Sequence, residues 1–145
     1  MRWSTRNFDG LSAEQITRCI EAWSVLCAVE DMHVELDLSR AAMSGTLTGY
    51  NEEHRKVYLG ANAFPGEGAD ANSQLSYLAC LAHELAHARR FSMGYRRPMK
   101  LPDVLLDEAE TSIDASFNQM LPPRDRKELV EDARDRLLQW IAHKE

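Results

Sequence analysis

His83, Glu84 and His87 are the residues of this chain whose types and spacing can do chemistry. They stand in the stretch His83-Glu84-Leu85-Ala86-His87. An α-helix turns about 100° per residue, so side chains four apart lie one above the other. His83 and His87 then project from one stripe. Two imidazoles one turn apart can fill two corners of a zinc tetrahedron, at about 2.0–2.1 Å each. Glu84, beside the first histidine, is too close in sequence to share the metal comfortably. It is well placed to hold a water on that metal and take its proton. The chemistry such a set performs is metal-assisted hydrolysis.

The competing reading is an exposed helix face with two solvated histidines. Such a face is rich in Lys and Glu. This one is flanked by Ala79, Cys80, Leu81, Ala82, Leu85, Ala86 and Ala88. Small apolar residues around a His-Glu-His set describe a helix set into a core, where imidazoles and carboxylates need partners.

The elements that must position this set can be read from periodicity. Leu75, Leu78, Ala82, Leu85 and Ala86 recur at three- and four-residue spacing, which predicts a helix over residues 73–91. Gly94 suits the position just past its end. Upstream, Trp3 and Phe8 are expected to pack down in an entry segment. Ser12 followed by Gln15 reads as a capping box for a first helix over residues 12–29. Residues 33–38 alternate and read as a strand, and residues 44–50 and 56–60 read as the arms of a β-hairpin. The second arm, residues 56–60, is expected at the sheet edge, open to an extended peptide. Residues 61–72 form a loop into the His-Glu-His helix. A third helix is predicted over residues 103–120, stopped by Pro122-Pro123. A fourth follows over residues 124–142, with Leu129, Val130, Ala133, Leu137, Leu138 and Ile141 inward.

Two histidines do not complete a zinc site, and a third ligand must come from elsewhere. His33, His54 and His143 have no helpful company, and His33 and His54 are expected at the surface. The third helix carries Asp107, Glu108, Glu110 and Asp114. Glu110 borders the apolar stripe of Ala109, Ile113 and Phe117 and is the favoured ligand. Asp114, one turn on, is expected to hold the free ring nitrogen of His83 or His87. Asp107 and Glu108 sit further round and read as solvent-facing or capping residues. The choice among the four acids stays open to metal analysis of a Glu110→Ala variant. Tyr95, just past the His-Glu-His helix, is a candidate donor to a developing oxyanion, with Tyr50 and Arg97 behind it. For each of the three a packing or surface role is the stronger competing reading. Cys80, one turn before His83, reads as a buried hydrophobe more than as a ligand.

These residues resemble a known arrangement. His83-Glu84-Leu85-Ala86-His87 is the HExxH signature of zinc metallopeptidases. With Glu110-Thr111-Ser112-Ile113-Asp114 on the later helix, the chain resembles the gluzincins, and in its helix–strand–hairpin lead-in the small ImmA/IrrE-like metallopeptidases. The resemblance implies a minimal zincin-like α+β fold of about four helices and a small, mostly antiparallel sheet of about three strands. It implies zinc held by His83, His87 and Glu110, Glu84 as general base, Asp114 in support, and a protein or peptide substrate. Two other readings stand beside it. One is a non-catalytic zinc-binding module that docks a protein. The other is a zinc hydrolase of a small amide.

Composition sets the outer bounds. The chain has 145 residues, which fits one domain over residues 1–145. A formal net charge of -6 argues against binding a phosphate backbone, so no nucleic-acid partner is expected. No apolar run approaches the roughly 20 residues that span a membrane. The opening residues lack the apolar stretch of a secretory signal. Cys19 and Cys27, about 12 Å apart on one helix, are beyond disulfide reach. Three cysteines without a framework fit a reducing compartment, the cytoplasm. A free peptidase there needs control, which calls for a regulatory protein partner.

Overall fold

The computed structural model describes residues 6–66 and 75–144. Among these residues the chain has four helices and a small three-stranded mixed sheet, an α+β fold. Trp3 and Ser73 lie outside the described residues.

Helix α1 (Ala13–Glu30) starts where the sequence signals it. Gln15 N–H donates to Ser12 Oγ, and Ser12 N–H donates to Gln15 Oε1, which satisfies two of the donors a helix start leaves open. Its buried stripe is Cys19, Ala22, Trp23, Leu26 and Cys27. Phe8, expected to pack inward, is 67% exposed, because the backbone on either side is pinned and the ring rests on Gly45. Asn7 N–H donates to Phe64 O, and Gly45 N–H donates to Phe8 O.

Strands β1 (Glu35–Asp37), β2 (Gly49–Asn51) and β3 (Lys56–Tyr58) lie in the order β1-β3-β2. β3 pairs antiparallel with β2, Tyr50 opposite Val57, and parallel with β1, Leu36 opposite Val57. The hairpin forms with shorter arms than predicted, Gly49–Asn51 against residues 44–50 and Lys56–Tyr58 against residues 56–60, and its second arm is not the edge. β3 is bonded on both sides, so the outer edge next to the site belongs to β2. Val57 and Leu59 are fully buried, which is what draws this arm to the middle. Gly60 leaves no room for a side chain: a Cβ there would lie 2.5 Å from Leu47 C.

Helix α2 (Tyr77–Ser92) carries the His-Glu-His set. Its cap is Ser76, whose Oγ accepts from Ala79 N–H. Ser76 also donates to Asp125 Oδ1, and its N–H donates to Glu128 Oε1. Two carboxylates from α4 (Pro123–Lys144) thus sit at the positive end of the α2 dipole. At the other end Gly94, at φ +101°, lets the chain reverse. Its N–H donates to Phe91 O and that of Tyr95 donates to Arg90 O, closing a Schellman motif.

Helix α3 (Asp103–Ala115) is five residues shorter than predicted. The turns at Ser116, Phe117 and Asn118 close on Ser112, Asp114 and Ala115, and Asn118 then turns back to Glu30 of α1. Its rotation also differs from expectation. Ile113 is 41% and Phe117 is 72% exposed, while Asp107, Ala109, Thr111, Ser112 and Ala115 are buried. The inward face of α3 is small and polar. α4 likewise buries Leu129, Asp132 and Ala133 and leaves Val130, Leu138 and Ile141 exposed. Fully buried Leu26, Leu59, Leu81, Leu85 and Leu129 tie α1, the sheet, α2 and α4 into one core. No helix among the described residues is long and apolar enough to cross a membrane.

Candidate metal centre

His83 and His87 stand on the buried side of α2, their ring centroids 4.8 Å apart. α3 runs against that side. Its Glu108 sends Oε1 to both rings, 3.3 Å from His83 Nε2 and 2.5 Å from His87 Nε2. Ligand atoms of His83, His87 and Glu108 all fall within 4.8 Å of one another, a group able to hold a metal ion. His87 Nε2 is buried and has no hydrogen-bond partner, so its approach to the carboxylate is not that of an ordinary hydrogen bond. Atoms bearing lone pairs gather this closely only around a positive charge, a proton or a metal cation.

Each ligand atom is aimed by a partner on its far side. His83 Nδ1 lies 2.8 Å from Ser112 Oγ. Ser112 has one hydroxyl proton, and it goes to Asp132 Oδ2 at 2.6 Å, because a carboxylate only accepts. Ser112 Oγ therefore accepts from His83, Nδ1 carries the hydrogen, and Nε2 keeps its lone pair for the cluster. On Glu108, Oε2 accepts from Arg97 at 3.0 Å and lies 3.5 Å from Arg136 Nη1, which leaves Oε1 to the histidines.

Electrostatics follow from this crowding. Burial works against the His83 imidazolium, but the Glu108 carboxylate, with the Glu84 charge behind it, outweighs burial and raises the His83 pKa. Burial likewise pushes the Glu108 carboxyl up, and the two imidazoles overcome it and hold its pKa well below the usual carboxylate range. The cluster holds its negative charge and calls for a positive one.

Glu84 is buried next to this centre and faces the sheet. Its Oε1 accepts from Tyr50 N–H on β2 at 3.0 Å. Among the described residues its Oε2 has no hydrogen-bond partner. Tyr95 is half exposed, its ring 4.6 Å from the Arg90 guanidinium, and it lines a small cavity with His87, Glu52, Arg97 and Asp107. Tyr50 is committed through its backbone, and Arg97 through Glu108 and through its own N–H to Glu52.

The structure does not bring Glu110 to the histidines. Its side chain is 52% exposed and pairs with Arg90 at 3.1 Å. Asp114 pairs with Arg89 and not with a histidine. Both follow from the rotation of α3, which turns Glu108 inward and takes Glu110 and Asp114 outward. Asp107, expected toward solvent, is buried against Arg90. Cys80 is outside the cluster and is a free thiol whose pKa burial pushes up to about 12. Besides Glu108, sequence reasoning missed Ser112, Asp132 and Arg136. The available signal was spacing: Glu108 and Ser112 are four apart on α3, and Asp132 and Arg136 four apart on α4.

Comparison with models of known protein families, with characterised proteins and with solved structures finds no match to this chain.

Proposed function

We propose that the chain is a zinc-dependent peptidase of the HExxH kind its sequence resembles, with His83, His87 and Glu108 as metal ligands and Glu84 as general base. The observation that carries this reading is the meeting of two imidazoles and one carboxylate at a common centre, with the buried His87 Nε2 against Glu108 Oε1 but in no regular hydrogen bond. Two histidines and a glutamate suit zinc, and a catalytic site of three protein ligands keeps a fourth position open. A bound zinc ion supplies Lewis-acid polarisation of the scissile carbonyl and a water acidic enough to attack near neutral pH.

The chain's own residues do the rest. Glu84 is anchored through Oε1 to Tyr50 N–H, so its Oε2 is held still to take a proton from the attacking water and pass it to the leaving amine. Strand β2 brings its outer edge to the same place, and an extended peptide substrate would lie along it. Tyr95 and Arg97 border the cavity beside His87 and are the donors nearest a developing oxyanion. A cytoplasmic location belongs to the same reading, supported by three free thiols. Control by a regulatory protein partner remains part of the proposal.

One observation favours a second reading, a non-catalytic zinc-binding module. Glu84 already serves the fold through Tyr50, a role that needs no water chemistry. Glu84→Gln separates the two, because glutamine keeps the acceptor and loses the base. Zinc content and hydrolysis of unfolded proteins, peptide libraries and small amides are measured side by side. The peptidase reading expects turnover to fall by about 10²–10⁴ with zinc content unchanged. A zinc-loaded wild type that cleaves nothing supports the module, and cleavage of small amides alone moves the substrate class.

A further inference from the structure

Asp132 is fully buried on α4, at a position where the amphipathic pattern calls for an apolar side chain. Ser112 on α3 is also fully buried. A carboxylate out of water is costly unless it is bonded. Among the described residues Asp132 Oδ1 is buried without a hydrogen-bond partner, and the bonds that are made all converge on Oδ2 and run in one direction. Arg136 Nε donates to Asp132 Oδ2 at 2.9 Å, Ser112 donates to the same oxygen at 2.6 Å, and His83 Nδ1 donates to Ser112. The other end of Arg136 faces Glu108. The registers agree: 108 meets 136 and 112 meets 132, as neighbours in an antiparallel helix pair do. One ion pair on α4 thus stands behind both His83 and Glu108.

We infer that Ser112 and Asp132 act in series as the positioning group for His83, doing across two helices what one carboxylate four residues after Glu108 would do alone. The hydroxyl fixes the ring tautomer. The carboxylate draws the hydroxyl proton away, so that Ser112 accepts from Nδ1 and makes Nε2 a better donor to a metal. Arg136 donates to the Asp132 carboxylate and orients it, and its approach to Glu108 couples the aim of the second ligand to the first. The inference rests on the reading that His83 is a metal ligand.

The test uses the full chain and zinc or Co²⁺ alone as probe. Dissociation constants are measured for the wild type, Ser112→Ala, Asp132→Asn and the double variant, with circular dichroism confirming the fold of each. His83→Ala and Glu108→Ala serve as references for loss of the site. Each single variant is expected to bind about 10–100-fold more weakly, and to shift the visible Co²⁺ bands. The double variant is expected to be no weaker than the poorer single, because links in series fail together. Unchanged affinity and an unchanged Co²⁺ spectrum in folded variants would overturn the inference and leave the metal site standing. Additive losses would overturn the series arrangement. A wild type that takes up no cation, or whose uptake survives His83→Ala, sinks the metal reading and the inference with it. If Asp132→Asn does not fold, Ser112→Ala decides alone.

Discussion

Glu108 and Glu110 are two residues apart on one helix, and the difference between them is about 200° of rotation. That rotation gives opposite expectations for two similar substitutions. Glu108 is held by two imidazoles and flanked by two guanidiniums, whereas Glu110 meets Arg90 at the surface. Glu108→Ala is expected to cut bound zinc well below one equivalent. It also leaves Arg97 and Arg136 without their shared acceptor. Glu110→Ala is expected to keep full zinc and to change stability by no more than the about 0–1 kcal/mol of an exposed ion pair. Metal analysis of the two purified variants decides. Retained zinc in Glu108→Ala would remove this carboxylate from the site. The HExxH half of the site was legible in the sequence because its spacing lies within one helix turn. The other half depended on the rotation of α3, which the apolar pattern misreports. Ile113 and Phe117 look like a core stripe and are exposed, while Ser112 and Asp107 look like surface and are buried. Pattern reading assumes that buried faces are apolar, and it fails where a buried face is filled with polar groups bonded to one another.

At the scale of elements, α2 is the part others are fitted to. Asp125 and Glu128 of α4 hold its start, Glu30 of α1 and Asp114 of α3 meet Arg89 near its end, and Tyr50 of β2 meets it at Glu84. Leu85, between Glu84 and His87 in sequence, is buried in the hydrophobic core. Leu85→Ala is expected to destabilise the fold by about 2–5 kcal/mol, because the cavity it leaves is walled by several elements that cannot all close on it. Denaturant titration reads the loss, and a value below about 1 kcal/mol would mean that the packing around α2 relaxes freely. Helix α1 and its capping box, the hairpin and the span of α4 could be read because each is specified by neighbours in sequence. The strand order could not, since nothing local says that β1 joins β3 in parallel and leaves β2 outermost.

Across the whole molecule, charge and metal meet in the dependence of stability on pH. Asp37 on β1 is held well below the usual carboxylate range by hydrogen bonds from Lys56 on β3 and from Ser39. A depressed carboxyl stabilises above its unfolded value and loses that contribution as pH falls through its folded value, and Glu108 acts in the same sense. His83 works from the other side. Its pKa is raised in the metal-free chain, so its contribution is whole below the unfolded value near 6.5 and fades as pH rises through the folded value. A metal ion supplies the positive charge that the proton otherwise supplies, and it binds better as protons leave. The melting temperature of the chelated protein is therefore expected to fall as pH is raised above about 6.5, while that of the zinc-loaded protein holds. At zinc a hundredfold above its dissociation constant the added stability is about 2.7 kcal/mol, several degrees for a chain of this length. Thermal melts with and without chelator across the neutral to alkaline range measure the gap. A gap that stays constant with pH would show that proton and metal do not compete for the same cluster of side chains.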